Sequence, residues 1–548
     1  HLWVQDVQNR VFSTLGQPNW LAAYLIALTP ITLAFSVQYL AFRKNAKSVF
    51  LKAISYLLAT LFFLVLLFTR SRSGLLGFVV ADVIFWGLVF ARSHLAKQGE
   101  TFKNAWHLPF GIFHLAFGIV LFLNGTNIAQ LDKYFALPLW HERLLKTKTT
   151  APVVPNYQAP LLEAGGTESG TIRKYVWQGA INAWKSTTKT MALGTGTETF
   201  AFAFYRFKPP EHNLTSEWDF LYNKAHNEYL NYLATTGIFG LGSYLLFIGA
   251  FIIWFVKSNQ QNKTQSFYPL SAIHYALFAG WISVLITNFF GFSVVMMQLF
   301  FFLFPAMVFL LSPQFMIHDS KFKLTIPSWT VWLPIIGGLY ILVKIGSFWY
   351  ADTLFARGYR LAKLEQYSAA QERLARAVKL NPREPLYRDE IATTLAALTE
   401  VALESKNATA AAALARQSLI ESDLALTASP NNVNFWKSRT KIYYTFSSFD
   451  PEFLPAAITA LKKALSLSPT DPKILYNLAV LYGRQDDNQQ AIETLKTAIS
   501  LKPNYRDAYF ALYIFYNEVK QPQLARAVLT EYLTKVDPND QDFRERLQ

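Results

Sequence analysis

Residues 49–91 read VFLKAISYLLATLFFLVLLFTRSRSGLLGFVVADVIFWGLVFA, an apolar run, a short turn carrying Arg70 and Arg72, and a second apolar run. About 20 consecutive apolar residues cross a hydrocarbon core as a helix, because only helices and closed barrels satisfy their backbone groups there. The stretch is therefore a membrane-crossing helical hairpin. The same reading carried outward predicts eight spans, near residues 20–42, 49–69, 74–91, 108–124, 237–256, 269–289, 293–311 and 329–350.

Composition agrees. Of 548 residues, 52% are hydrophobic and 16% charged, against about 25% charged in an ordinary soluble domain. The net charge of +15 does not imply nucleic acid, because lysine and arginine accumulate in the cytoplasmic loops of membrane chains. With no cysteine, disulfides, zinc-thiolate sites and cysteine nucleophiles are excluded. The chain starts at His1 with no charged leader segment, and we expect spans upstream of it.

Threading the spans groups the loops by side. Arg43, Lys44 and Lys47, then Arg92, Lys97 and Lys103, then Lys257 and Lys263, then Lys321 and Lys323 fall together, and short basic loops stay in the cytoplasm. The start of the chain, the turn at 70–73, the loop at 125–224 and everything after Tyr350 then lie outside. Arg70 and Arg72 are anomalous in an external turn. Either they snorkel to lipid headgroups or they serve a function. Asp82 and His274 are the main ionisable residues within spans, with no partner evident for either.

Beyond Tyr350 the text becomes alanine-rich, charged and helical, with Pro382, Pro430, Pro469, Pro503 and Pro538 recurring. The last intervals approach the roughly 34-residue period of tetratricopeptide repeats. Leu475, Leu478, Ala479, Tyr482, Ala491, Leu495 and Ala498 precede Pro503. Ala370, Leu374 and Ala377 precede Pro382, and Ala457, Leu461 and Ala464 precede Pro469. Such alternation of small and large apolar positions interlocks two antiparallel helices. Five units are expected, the second, near 418–430, being long and degenerate and reading either as a repeat or as a helical insertion. The fold expected is all-α: a polytopic transmembrane bundle over 1–350 and an extracytoplasmic solenoid over 351–548. Such a solenoid offers a concave surface to a peptide or partner protein, or acts as a spacer.

Chemistry is expected in the external loop, since loops of that length are usually functional. Ile172-Arg173-Lys174-Tyr175-Val176-Trp177-Gln178-Gly179-Ala180 reads as a short amphipathic helix on the membrane face. Leu193-Gly194-Thr195-Gly196-Thr197-Glu198-Thr199-Phe200 reads as a glycine turn exposing backbone N–H groups. It lacks the lysine and strand context of a phosphate loop. Lys224-Ala225-His226-Asn227-Glu228-Tyr229-Leu230 runs into the fifth span, so His226 sits near a helix N-terminus, where the dipole disfavours imidazolium.

Topology brings Arg72, Arg173 and His226 to one outer face. Two fixed cations beside a neutral base suit the holding of a pyrophosphate while a hydroxyl is activated. The loop carboxylates Glu198, Glu211, Glu217, Asp219 and Glu228 lack the pairing that a divalent cation would call for.

Four pieces of this sequence resemble the O-antigen ligase and polymerase superfamily of bacterial type C glycosyltransferases. They are Arg10-Val11-Phe12-Ser13-Thr14-Leu15-Gly16-Gln17-Pro18-Asn19, Ser71-Arg72-Ser73-Gly74, Arg173 with Trp177 and the glycine turn, and Ala225-His226-Asn227-Glu228-Tyr229-Leu230 with Thr236-Gly237-Ile238-Phe239-Gly240. The resemblance implies transfer of a glycan from a polyprenyl (undecaprenyl) pyrophosphate carrier to an acceptor hydroxyl on a glycan, lipid or protein. The transfer would take place outside the bacterial cytoplasmic (inner) membrane, with inversion and without cofactor, metal or nucleotide sugar. It implies Arg72 and Arg173 on the pyrophosphate and His226 at the acceptor, with Arg70, Trp177, Asn227 and Glu228 positioning substrate. Membrane lipid and a protein on the repeats are the remaining expected partners.

The alternative is a non-enzymatic membrane scaffold that recruits envelope proteins through its repeats. A transporter is disfavoured by the scarcity of ionisable residues in the spans.

Overall fold

The computed structural model describes residues 10–42, 46–95, 107–126, 128–137, 168–261, 270–312, 330 and 332–548. Of the basic residues used for topology, Arg43, Lys44, Lys97, Lys103, Lys263, Lys321 and Lys323 lie outside these. The described residues form helices and no strand. By contact the chain divides into two units, His1–Phe200 with Tyr222–Lys323, and Ala201–Leu221 with Leu324–Gln548.

In chain order the helices of the first part are α1 (Pro18–Phe42), α2 (Ala46–Phe68), α3 (Arg72–Leu95), α4 (His107–Asn124), α5 (Ala129–Phe135), α6 (Glu168–Trp184), α7 (Thr188–Leu193), α8 (Phe200–Phe207), α9 (Glu228–Gln261), α10 (Leu270–Phe290) and α11 (Val295–Leu310). Six helices among the described residues are long and apolar enough to span a membrane: α1, α2, α3, α9, α10 and the helix from Trp332 to Lys363. Two of the eight predicted spans, α4 and α11, are shorter apolar helices.

In the first unit α1 packs against α2, α3 and α10 along a seam that includes Ala22, Ala27, Ala276 and Ala279, all fully buried. Small side chains let membrane helices approach closely where lipid supplies no hydrophobic drive between them. Aromatic rings fill the rest, as where Phe255 stacks on Phe278 at 3.8 Å and the Trp281 indole donates to the Phe301 carbonyl at 2.9 Å. Leu57, Val83, Leu115 and Leu246 point outward and are exposed, as lipid-facing residues are.

Two expectations change here. Asp82 has a partner: its carboxylate lies 2.9 Å from the His114 ring on α4. The fifth span begins at Glu228, with a break at Gly237 (φ 67°, ψ −165°) where the sequence suggests its start. Without a Cβ, glycine takes this backbone conformation at little cost.

The second unit contains α12 (Trp332–Lys363), α13 (Tyr367–Leu380), α14 (Pro385–Glu404), α15 (Ala408–Ala428), α16 (Val433–Phe446), α17 (Phe453–Leu467), α18 (Pro472–Arg484), α19 (Asn488–Leu501), α20 (Arg506–Glu518), α21 (Pro522–Lys535) and α22 (Gln541–Leu547). Every large apolar side chain from Trp332 to Tyr350 is exposed, an all-round apolar surface that suits lipid. The same helix continues without a break to Lys363 and pairs with α13.

Five hairpins follow one another: α12 with α13, α14 with α15, α16 with α17, α18 with α19, and α20 with α21. All the small and large apolar positions read from the repeats, from Ala370 to Ala498, are buried. The second hairpin is long, of 20 and 21 residues, and Ser418 fastens its two helices by donating to the Ala392 carbonyl at 2.7 Å. It is a member of the series and not an insertion. Glu365, Lys406, Asp486 and Lys520 take left-handed φ at the turns inside four of the hairpins, the usual way to end a helix and reverse the chain.

Candidate active site

The loop between α4 and α9 closes on α9. The side chain of Asn227 accepts from the Leu230 amide at 3.0 Å, capping α9 as asparagine does best. Glu228 accepts from the Ser293 amide at 3.2 Å, and both Asn227 and Glu228 are buried. His226, immediately before the cap, has φ 52°, uncommon for a residue with a Cβ. Unlike the repeat turns, it ends no helix, and strain of this kind clusters at functional sites. Its ring meets Tyr222 at 5.6 Å and Phe292 at 5.3 Å, both edge-on.

The N–H groups at the centre of the glycine turn are engaged by the protein. Thr195 and Gly196 donate at 2.9 Å to the carbonyls of Ala234 and Thr235, which the break at Gly237 leaves without their helical donors. The approach is close: a Cβ on Gly194 would lie 2.2 Å from the Thr235 carbonyl carbon, and one on Gly237 2.3 Å from that of Ala192. Thus α7 and the turn are braced against the α9 break. Lys224 and Glu198 form an ion pair beside them.

Arg173 lies on α6, the predicted amphipathic helix, which packs against α9. Arg173 and His226 line the same cleft of about 50 Å³, together with Gln17, Asn19, Ser73 and Asn288. Arg173 also borders a larger cavity of about 480 Å³ lined by Trp177, Lys174, Ile181 and Phe290. Trp177 meets Phe289 edge-on at 5.9 Å, and its buried indole N–H finds no hydrogen-bond partner among the described residues.

Of the arginine turn, Ser73 reaches the small cleft. Arg72 opens α3 and is exposed. Arg70 is exposed with φ 52° as α2 ends. A residue not singled out from the sequence joins them: Arg10 donates to the Thr69 carbonyl at 2.9 Å and to Asn19 Oδ1 at 3.0 Å. Burial, then repulsion from Arg70 and Arg173, lowers the Arg10 pKa. Arg10 thus stands within electrostatic reach of both Arg70 and Arg173, a positive setting suited to an anion with several charged oxygens. The resembling segment around Arg10 was the available signal, but its contact with the turn is tertiary.

Burial, then the charge of Arg173, holds His226 down at about 4, so its imidazole is neutral near pH 7 and able to accept a proton. No group of three or more histidines and carboxylates that could hold a metal occurs among the described residues.

Residues 57–245 match the family described as O-antigen ligase, and residues 454–513 match a tetratricopeptide repeat. No curated protein matches the chain. Among solved structures, a thermophilic TPR protein of Thermus thermophilus is 22% identical over 36% of this chain and 96% of its own, with a TM-score of 0.26. MamA of Desulfovibrio magneticus is 15% identical over 35% of this chain and 97% of its own, with a TM-score of 0.28. The chain thus joins an O-antigen ligase family region, which holds Arg72, Arg173 and His226, to C-terminal tetratricopeptide repeats.

Proposed function

We infer that the membrane part transfers a glycan from a polyprenyl pyrophosphate carrier to an acceptor hydroxyl at the outer face of the bacterial cytoplasmic membrane. The transferase part is 1–350, and the repeats over 351–548 lie on the same outer side. The observation that carries this reading is the cleft shared by Arg173 and His226, with Arg10 and Arg70 adding positive charge around it.

In the reaction His226 accepts the acceptor hydroxyl's proton while the oxygen attacks the anomeric carbon from the face opposite the leaving group. The bond from that carbon to the pyrophosphate oxygen breaks, with inversion. The arginines, Arg173 and Arg72 foremost and Arg70 beside them, hold the charge left on the polyprenyl pyrophosphate. Trp177 and the cavity beside it offer an apolar bed for the first isoprene units or a sugar face, while Asn227 and Glu228 hold the His226 segment. Neither a metal nor a nucleotide sugar enters this balance.

The test is transfer in membranes by His226→Ala, Arg173→Ala and Arg72→Ala chains, read by mass spectrometry of envelope glycans and glycoproteins. Hydrogen bonds to charged groups contribute about 1.5–3 kcal/mol, so each loss should slow transfer at least about tenfold with insertion intact. Full activity in the first two would remove the reading. Survival of function in these variants, with its loss on deleting residues after Tyr350, would favour the scaffold alternative.

A further inference from the structure

The segment Ala201–Leu221 leaves the first unit at Phe200, returns at Tyr222, and belongs by contact to the repeat unit. Its centre is a 3-10 turn, Pro210–Leu214, in which Asn213 is fully buried. The Asn213 amide donates to the Thr470 carbonyl at 2.8 Å and to the Leu501 carbonyl at 3.2 Å. Those carbonyls lie where the third repeat joins the fourth and where α19 ends ahead of the fifth. In return, Lys502 Nζ donates to the Asn213 carbonyl at 2.8 Å, and the Thr470 hydroxyl to the Lys208 carbonyl at 3.0 Å.

Trp218 completes the contact. Lys502 stands over its ring at 4.6 Å and Lys473 at 6.0 Å, while Tyr505 meets it at 5.7 Å. Lys208 Nζ donates to the Trp218 carbonyl at 3.0 Å, and Lys473 pairs with Asp219 at 2.6 Å. Lys208 and Lys502 are both buried, and a buried ammonium is costly unless such acceptors surround it. Residues more than 250 positions apart in sequence thus satisfy one another's buried polar groups, which distinguishes a built interface from incidental packing.

We propose that the edge of the solenoid spanning the third to fifth repeats is a docking surface for this chain's own segment Ala201–Leu221, and that it fixes the loop leading to His226. An external protein can use this edge only by displacing the segment. The docking stands independently of glycan transfer, whereas its consequence for His226 rests on the function proposed above.

The natural absence of cysteine makes the test direct. Asp219→Cys and Lys473→Cys are placed in the full chain, with a specific protease site inserted within residues 262–269, and native membranes are treated with a short bis-methanethiosulfonate. The two fragments are expected to stay joined after cleavage and to separate on reduction, while either single cysteine gives separate fragments. Adding Asn213→Ala and Trp218→Ala should slow joining at least about fivefold. Fragments that never join, or join at an unchanged rate in that background, would overturn the docking. The Asn213→Ala, Trp218→Ala chain is further expected to lose transfer at least about tenfold, and the joined chain to retain it. Full transfer by the undocked chain would overturn the effect on His226 alone, and His226→Ala reports separately on the reaction.

Discussion

Arg10 donates from Nε to the carbonyl oxygen of Thr69 at 2.9 Å, which places the first cation of the chain against the residue that precedes Arg70. The same guanidinium reaches Asn19, a residue of the small cleft. Arg10→Ala removes a charge and both anchors, and we expect transfer to fall at least about tenfold. Arg10→Lys keeps the charge but not a planar fork that serves two acceptors, so its rate should fall between the two. Transfer per inserted chain in membrane vesicles measures this, and an Arg10→Ala chain as active as the parent would remove Arg10 from the site.

The pH profile reports on His226. Its pKa of about 4 keeps the imidazole neutral from roughly pH 5 upward, so the acid limb of transfer should lie near pH 4 to 5 and not near the ordinary histidine value. The linkage has a definite sign. The folded pKa is below the unfolded one, the unfolded chain binds more protons between pH 6.5 and about 4, and the contribution is whole above 6.5 and lost as pH falls toward 4. His226→Gln should flatten both trends. An acid limb centred near 6.5 would contradict a buried neutral base.

The braced break in α9 predicts intolerance at two glycines. Gly194 and Gly237 have φ of 73° and 67°, and an added Cβ at either would fall within 2.3 Å of backbone. With ψ of −173° and −165°, both sit in a positive-φ extended region that is nearly confined to glycine and costs about 1–3 kcal/mol for a residue with a Cβ, and backbone atoms give way less readily than side chains. Gly194→Ala and Gly237→Ala should therefore lower thermal stability in detergent and expose the loop to protease. Gly242→Ala, with open space around its position, is the control and should behave as the parent.

Much of this architecture is written in local pattern. Apolar run length marks the spans, and the spacing of Ala457, Leu461 and Ala464 ahead of Pro469 marks a repeat. Arg173 on its amphipathic helix and His226 ahead of α9 were legible for the same reason. What was not legible depends on which helix faces which. Asp82 finds His114 only once α3 and α4 lie side by side, and Arg10 reaches Thr69 only when the stretch just ahead of α1 lies against the end of α2. The glycine turn reads as exposing its N–H groups because nothing in its text reveals that the break at Gly237 uses those of Thr195 and Gly196. Asn213 looks like any loop asparagine until two carbonyls of the repeats, far along the chain, are seen around it.

Asp389 offers a test of opposite sign in the repeats. It is buried on α14, accepts from the Ser438 hydroxyl at 2.8 Å, and burial raises its pKa to about 7. Because the folded pKa lies above the ordinary 3.8, the folded form binds more protons between these values. Its contribution is therefore whole below pH 3.8 and lost as pH rises through about 7. Asp389→Asn cannot ionise and retains a polar contact for Ser438. Its thermal unfolding in detergent, followed by circular dichroism, should show a higher midpoint than the parent at pH 8 and little difference at pH 4. Equal midpoints at pH 8 would mean that the carboxylate is held by charges the buried pocket does not lack.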